Sequence, residues 1–219
     1  MHPGIHSRLA VGMLFAALAL PARGNLDEHT FNAVVASKPE VGDIVFVRIG
    51  GPVFSRVADT TQSWVSHVGM IVDYKNGDWI VAESGVPFVR RTPLRRFLDR
   101  SEGQKFSIRR LKTEPTEEQR HAILMFADSQ MGKSYSLGFD LESQKTFCSK
   151  FVHDAVYEGT HQSVGEVETF DHLLRSNPDA PLRFWRAWFL GFIPWQRATI
   201  TPASELASPL LRLVIENNV

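Results

Sequence analysis

The chain has 219 residues, of which 43% are hydrophobic, and its 24 basic and 24 acidic side chains give a formal net charge of zero. This length is sufficient for one domain with a complete hydrophobic core. The charge balance argues against the positive surface typical of nucleic-acid-binding proteins, so we expect no nucleic-acid partner. Cys148 is the only cysteine, which excludes a disulfide within the chain.

The amino-terminal residues have the pattern of a signal peptide. Residues 9–20 form an uncharged apolar run, and small residues precede Asn25 at a plausible cleavage position. The run is shorter than the roughly 20 residues that cross a bilayer. The sequence therefore predicts a signal peptide over residues 1–24, a single domain over residues 25–219, and a bacterial protein exported to the periplasm or secreted. An uncleaved anchor or a buried first helix are the alternatives.

The first half of the predicted domain contains a β-hairpin. In chain order we predict a helix over residues 31–37, a strand over 44–47, a helix over 52–62 and strands over 68–74 and 79–84. Asn76-Gly77 separates the last two strands, and this dipeptide is the strongest short signal for a hairpin turn.

The hairpin brings His67, at the entry of its first strand, close to Glu83, near the exit of its second. A two-residue turn would pair Glu83 with Met70 and place the two side chains on opposite faces. A three-residue loop with a bulge would pair Glu83 with Gly69 and place them on the same face. The sequence does not decide between these registers.

The second half of the domain is predicted to alternate strands and helices. We expect an additional strand over residues 86–90, a short basic helix over 93–100, a strand over 106–111, a capped helix from residue 116 to 132, the helix of Cys148 to residue 159, and a helix start at 201–206. An arginine cluster lies in this part, comprising Arg90, Arg91, Arg95, Arg96, Arg100, Arg109 and Arg110. Such a cluster is usually a solvated face, although it could also hold an anionic group.

Cys148 lies in the first turn of a predicted helix, on its apolar face. Apolar residues follow it at i+3, i+4, i+7 and i+8, namely Phe151, Val152, Ala155 and Val156. The positive end of the helix dipole favours a thiolate at this position, whereas burial disfavours it. A small buried hydrophobe is the alternative role. An exported protein with one thiol either shields it or uses it, and we favour the second role, that of a nucleophile.

Several short motifs together resemble a known enzyme family. They are Gly42-Asp43-Ile44-Val45-Phe46, Ser66-His67-Val68-Gly69-Met70, Val81-Ala82-Glu83-Ser84, Tyr135-Ser136-Leu137-Gly138-Phe139-Asp140 and Phe147-Cys148-Ser149-Lys150. The chain resembles the YiiX/YebB-like enzymes, the circularly permuted branch of the NlpC-type papain-fold cysteine peptidases, over residues 41–158. The lecithin:retinol acyltransferase group shares the permuted order. The resemblance implies an α+β papain-like fold whose antiparallel sheet packs against the cysteine helix.

The resemblance also implies roles for individual residues. Cys148 would be the nucleophile, His67 the general base and Glu83 the group that orients the histidine. Thiolate attack on a carbonyl independently requires such a base and such a third group. The backbone N–H of Cys148 is a candidate oxyanion donor. Tyr135 and Ser66 are further candidates for oxyanion or substrate binding, with an aromatic wall as the alternative role of Tyr135.

These roles predict a cysteine peptidase or amidase that hydrolyses an amide or ester through a thioester. By family analogy the substrate is a cell-envelope peptide or a lipid or acylated molecule. The alternatives are a non-catalytic envelope binding module and a lipid acyltransferase. We expect no cofactor, and no metal, because no pair of ligands has the local spacing of a zinc site.

An aromatic segment over residues 184–195 exceeds what the core fold requires. Trp185, Trp188, Phe189 and Phe192 recur at helical spacing, and Trp195 follows them. Such a pattern most often forms core. A lid over an acyl pocket and a peripheral membrane contact are the alternatives.

Overall fold

A computed structural model describes residues 25–217 of the chain. The predicted signal peptide over residues 1–24 lies outside this range. Within it, no helix combines the length and the apolar character needed to span a bilayer.

Helices and short strands surround one large sheet. The helices are α1 (Glu28–Ala36), α2 (Pro52–Thr60), α3 (Leu94–Leu98), α4 (Glu117–Ser129), α5 (Cys148–Thr160), α6 (Phe170–Arg175), α7 (Leu182–Trp188) and α8 (Pro202–Leu206). The strands are β1 (Ile44–Ile49), β2 (His67–Lys75), β3 (Asp78–Ser84), β4 (Val89–Pro93), β5 (Ser101–Leu111), β6 (Glu168–Thr169), β7 (Ala198–Thr199) and β8 (Leu211–Asn217).

The large sheet has the strand order β4-β3-β2-β1-β5-β8, and every neighbouring pair in it is antiparallel. Strands β6 and β7 form a separate two-stranded ladder. Together with the helices, this architecture confirms the predicted α+β class. Strand β8 was not predicted, because it is an edge strand whose side chains alternate weakly between buried and exposed.

The two faces of the sheet carry different cores. Because successive strand residues point to opposite faces, Val68 and Met70 of β2 pack with the α5 helix and Cys148, whereas Ile71 packs with Phe97 of α3. A third apolar cluster is aromatic and joins α2, α6, α7 and the loops before α5. The cysteine helix therefore lies against the sheet, as the family resemblance implied.

The hairpin of β2 and β3 has a two-residue turn. Lys75 pairs with Asp78 across Asn76 and Gly77, whose φ angles of 55° and 84° match the left-handed turn that favours this dipeptide. The hairpin prediction is confirmed. Since the loop has two residues, the three-residue alternative for the loop itself is wrong.

A bulge inside the hairpin nevertheless produces the register of that second alternative. The pairing shifts between Ile71 and Asp73, so that Met70 pairs with Ala82. Continued by one residue, this pairing places Glu83 opposite Gly69 and on the same face as His67. The extra residue, Val72, lies within strand β2 rather than in the turn.

Candidate active site

The Cys148 side chain lies at the first position of α5, preceded by Phe147 at the N-cap. No side chain caps this helix terminus, so the backbone N–H of Cys148 is not used by a capping group and can donate to an incoming oxyanion. The neighbouring Ser149 hydroxyl donates to the Ile200 carbonyl at 2.8 Å and fixes the helix start against the carboxy-terminal segment. Cys148 as a whole is only 4% exposed.

The thiol borders a small apolar cavity of about 30 Å³. This volume holds little more than a water molecule or two. Aromatic and small polar side chains form its wall, among them Phe54, Ser66, Tyr135, Phe139, Phe147 and Trp185. The cavity is therefore nearly closed and would have to widen to admit a substrate.

Burial sets the protonation state of Cys148. Burial, and then the Glu205 carboxyl group, raise the pKa of the thiol to about 12, against hydrogen bonds from the backbones of Ser149 and Val68 and the nearby Tyr135 hydroxyl. Of the two opposing effects on this thiol, burial therefore outweighs the helix dipole in this structure. The contact with Val68 also places the thiol beside the residue that follows His67.

His67 and Glu83 form a buried hydrogen-bonded pair. His67 Nε2 lies 2.7 Å from Glu83 Oε2, and the two side chains are 1% and 0% exposed. Phe97 stacks on the imidazole with ring centroids 5.6 Å apart, and Phe54 packs edge-on at 6.2 Å. Phe54 also borders the Cys148 cavity. The structure thus fixes the ring on three sides.

The second ring nitrogen of His67, Nδ1, is available as a proton acceptor. Nδ1 is buried and, in the described part of the chain, has no hydrogen-bond partner, including the Cys148 thiol. Burial lowers the pKa of His67, although the Glu83 carboxylate opposes that effect. At neutral pH the ring is therefore neutral, Nε2 donates its proton to Glu83, and Nδ1 carries a lone pair.

Glu83 accepts three further hydrogen bonds. Thr92 Oγ1 donates at 2.7 Å, an Arg100 guanidinium nitrogen at 2.8 Å and Arg90 Nε at 3.2 Å. Burial favours the protonated acid, but His67 and the two arginines outweigh it and hold the pKa of Glu83 far below its ordinary value. The carboxylate is consequently ionised and fixed in position.

Most of the arginine cluster is engaged in ion pairs, although Arg91 and Arg96 are exposed, so the expectation of a solvated face holds only in part. Besides Arg90 and Arg100, Arg110 binds the buried Asp43 at 2.6 Å, and Arg91 and Arg95 pair with Asp128 and Glu28. The anionic groups that these arginines hold belong to the protein itself. Sequence reasoning missed this because the partners lie on other strands and helices.

The two candidate substrate-binding residues differ in availability. The Ser66 hydroxyl donates to the Ile49 carbonyl at 3.0 Å and accepts from the Ile49 N–H at 2.9 Å, so it ties the start of β2 to β1. The Tyr135 hydroxyl is buried beside Cys148 and makes no hydrogen bond of good geometry among the described residues. Burial, and then the proximity of Cys148, raises the pKa of Tyr135 well above its ordinary value, so it is a proton donor.

Sequence reasoning overlooked Glu205. Its side chain, on α8, is 0% exposed, and neither carboxylate oxygen has a hydrogen-bond partner within residues 25–217. Burial, and then Asp154, raises the pKa of Glu205 well above its ordinary value. Thr201 caps α8 and makes Glu205 look like an ordinary acidic residue of a first helical turn, so the sequence gives no sign of its burial.

The aromatic segment divides into core and surface. Trp185 is 3% exposed and donates from Nε1 to the Thr60 hydroxyl at 2.7 Å, so it is core and not a membrane contact. Trp188, Phe189 and Trp195 are half-buried in the same aromatic cluster. Phe192, by contrast, is 86% exposed.

Within residues 25–217, no group of three or more His, Cys, Asp and Glu side chains is placed to hold a metal ion. A zinc site built from Cys148, His67 and Glu83 therefore has no support from the donor geometry.

A thiol at a helix start and a buried histidine–carboxylate pair on an antiparallel sheet define the papain-like class of cysteine enzymes, here with the histidine strand preceding the cysteine helix. Residues 38–215 match the model of the family described as "Permuted papain-like amidase enzyme, YaeF/YiiX, C92 family". The chain belongs to this family and is a hydrolase of the cysteine peptidase and amidase class. The resemblance inferred from its motifs is confirmed.

Two relatives accompany this match. The chain is 25% identical over 179 residues to the Escherichia coli K12 protein "Uncharacterized protein YiiX", covering 82% of this chain and 87% of that protein. It also superimposes on the crystal structure of "metalloprotein yiiX" from Escherichia coli O157:H7 with a TM-score of 0.75 and 25% identity, covering 83% of this chain and 99% of that one. Since the donor set described above does not fit a metal ion, we assign no chemistry in this chain to a metal.

Proposed function

We propose that this enzyme hydrolyses an amide or ester through a thioester on Cys148, with His67 as the general base and Glu83 as the residue that orients it. One observation carries the proposal. The buried 2.7 Å hydrogen bond between His67 Nε2 and Glu83 Oε2 leaves a neutral Nδ1 with a lone pair and no partner. A general base requires a nitrogen lone pair of this kind, on a ring held in one tautomer.

The protonation states of Cys148 and His67 determine how the first chemical step begins. Because Cys148 and His67 are both uncharged in the closed structure, the proton must pass from Sγ to Nδ1 as Sγ attacks the carbonyl carbon. The two groups make no hydrogen bond in this structure, and the His67 ring stacks on Phe97, which belongs to the core on the other face of the sheet from Cys148. The transfer therefore requires a rearrangement that brings Nδ1 and Sγ within hydrogen-bond distance. The imidazolium that forms is stabilised by the Glu83 carboxylate.

The remaining steps use the same groups. The carbonyl oxygen becomes an oxyanion that can accept from the Cys148 N–H and the Tyr135 hydroxyl. Collapse of the tetrahedral intermediate breaks the amide or ester bond, while His67 returns the proton to the leaving nitrogen or oxygen. Water, deprotonated by His67, then attacks the thioester, and the acid product and the free thiol are released.

The cavity supports an apolar acyl group as the part of the substrate that is attacked. Its wall combines aromatic side chains with Cys148, and it contains no charged side chain among its lining residues. Together with the predicted signal peptide, this favours a lipid-like or acylated substrate of the cell envelope over a charged peptide. Export itself stays a prediction from the amino-terminal sequence.

The test is to trap the acyl-enzyme. Wild-type protein is mixed with p-nitrophenyl esters and p-nitroanilides of increasing acyl chain length, and the quenched protein is analysed by peptide mass spectrometry. We expect a burst of nitrophenol, an acyl adduct on Cys148 and a preference for longer chains. Cys148→Ala should form no adduct, and Met125→Ala, on the exposed surface of α4, should react like the wild type. Hydrolysis without any adduct on Cys148 would contradict the thioester.

A further inference from the structure

The aromatic segment belongs to a long stretch of sequence whose only charged side chains are basic. Between Asp179 and Glu205 lie 25 residues without a single acidic side chain, in a chain whose acidic and basic residues are equal in number. The stretch contains three arginines, three tryptophans and three phenylalanines. This region of the surface is therefore both basic and apolar, unlike the chain as a whole.

Two large apolar side chains project from this stretch. Leu190 and Phe192, on either side of Gly191, are 85% and 86% exposed, more than the other exposed large hydrophobic side chains that the structure describes. Single exposed apolar residues are ordinary, but two adjacent ones at nearly full exposure are not. We call these two residues the apolar tip.

The apolar tip rests on a fixed base. The chain turns sharply at Gly191, with a φ of 102° and its N–H bonded to the Arg186 carbonyl at 2.7 Å. Phe189, immediately before the tip, stacks on Trp185 at 6.0 Å and packs edge-on against Phe170 at 5.4 Å. Ile193, immediately after it, is buried. The exposure of the tip thus follows from a packed turn on both sides.

Basic residues accompany the apolar tip. Arg183 and Arg186 share the exposed face of α7 with Leu182, which is 37% exposed. Neither arginine forms an ion pair with a described residue, in contrast to Arg90, Arg100 and Arg110. Unpaired guanidinium groups beside exposed apolar side chains suit the boundary between anionic headgroups and acyl chains.

We propose that the apolar tip and the exposed face of α7 dock on an anionic phospholipid bilayer, with Leu190 and Phe192 entering the acyl boundary and Arg183 and Arg186 contacting the headgroups. The use of this surface rests on the proposed function. Trp185, in the same helix, borders the Cys148 cavity, so docking places the cavity wall next to the source of an acyl substrate. The docking itself does not depend on catalysis.

Vesicle binding tests the proposal. Protein carrying Cys148→Ala, which cannot turn over, is sedimented with vesicles of phosphatidylcholine alone and with vesicles containing phosphatidylglycerol. We expect binding to the anionic vesicles that weakens with added salt. The pair Leu190→Ser and Phe192→Ser should weaken it roughly tenfold or more, and Arg183→Gln with Arg186→Gln should abolish the preference for anionic vesicles. Tyr74→Ser, exposed on the β2–β3 hairpin at 55%, is the matched control.

Three results would overturn the proposal. These are no binding of the parent protein to either vesicle, an equal loss in the Tyr74→Ser control, and a concentration-dependent dimer in light scattering that the tip variants abolish, which would assign the surface to a second copy. Thiol acylation by a soluble nitrophenyl ester, measured in tip variants that retain Cys148, separates this outcome from failure of the proposed function. That reaction should be unchanged when only docking is lost.

Discussion

The two halves of the candidate site are built on opposite principles. On the His67 side, the Glu83 carboxylate accepts four hydrogen bonds and is held ionised although it is fully buried. On the Cys148 side, the thiol lies in an apolar cavity, and the polar atoms of Tyr135 and Glu205 have no hydrogen-bond partner among the residues described.

The difference shows where each half is stabilised. In the polar half, around His67 and Glu83, the hydrogen bonds to Glu83 are all formed before substrate arrives, because each donor around Glu83 is supplied by the fold. In the apolar half, around Cys148, the thiol is protonated and the Tyr135 hydroxyl donates to no described residue. The favourable contacts of this half therefore form only when a substrate carbonyl is in place. This is the arrangement expected when binding energy is realised in the transition state rather than in the resting enzyme.

Removing the base from the polar half should have the largest effect. His67→Ala leaves no acceptor for the thiol proton, so we expect kcat/KM to fall about 10⁴-fold. Steady-state hydrolysis of the best nitrophenyl ester measures it. His121→Ala, on α4, serves as the control and should retain wild-type activity. A fall of less than tenfold in His67→Ala would assign the base elsewhere.

Neutralising the orienting carboxylate should come next. Glu83→Gln keeps the shape but favours the wrong tautomer of His67, and we expect a loss of about 10³-fold in kcat. It also leaves Arg90 and Arg100 without their buried anion, which should lower the free energy of unfolding by about 3–5 kcal/mol. Urea denaturation measures this cost, with the exposed Glu142→Gln as the matched control.

The dependence of the unfolding free energy on acidic pH provides a second test of the ionisation of Glu83. Its folded pKa lies below the value of 4.5 from which it is shifted, so its contribution is present above that pH and is lost as the pH falls. Wild-type protein should therefore lose stability below about pH 4.5 more steeply than Glu83→Gln. Parallel acid limbs in the two proteins would mean that Glu83 is not held ionised.

Substitution of Tyr135 tests whether its hydroxyl donates to the oxyanion or its ring serves only as an aromatic wall of the cavity. As an oxyanion donor, its loss in Tyr135→Phe should lower kcat about 10²-fold with little change in KM. The unfolding free energy should stay equal or rise, because a buried hydroxyl without a partner is removed. Unchanged kcat would leave Tyr135 only the role of a wall residue.

Substitution of Glu205 is expected to have the smallest effect on the catalytic rate, and its effect is measured instead as the pH dependence of stability. Its pKa is raised above the reference value of 4.5, so above that pH the unfolded chain loses this proton first and wild-type stability declines as the pH rises. Glu205→Gln removes the ionisation, and its advantage over wild type should grow by up to about 1.4 kcal/mol per pH unit between the two pKa values. Urea titrations from pH 5 to 8, with the exposed Glu118→Gln as control, measure it. A constant difference across this range would contradict a raised pKa.

Much of the polypeptide scaffold was predictable from the sequence. Strands β1, β2 and β3 are short apolar runs between turn residues, and the capping box of Thr116 and Gln119 marks the start of α4 as expected. Local signals of this kind depend on neighbours along the chain. The motif spacing also indicated the family, which the match over residues 38–215 confirms.

The features that were missed depend on contacts between distant segments. The protonation of Cys148 follows from how deeply α5 is buried, which the helix pattern alone does not reveal. The donors Thr92 and Arg100 reach Glu83 across strands and after a helix, 9 and 17 residues away. No local periodicity encodes such pairings, and the same holds for the buried carboxyl of Glu205.

The bulge at Val72 has a consequence for how this enzyme can change over evolution. Loss of one codon between His67 and the bulge, with the bulge retained, would move His67 to the position that Val68 now occupies and turn it to the opposite face from Glu83, while leaving apolar runs that still pair as strands. A single in-frame deletion could thus convert the enzyme into a folded, inactive relative without altering any catalytic side chain. In homologous chains, the length of the segment between the histidine and the turn is therefore as informative about activity as the identity of the residues themselves.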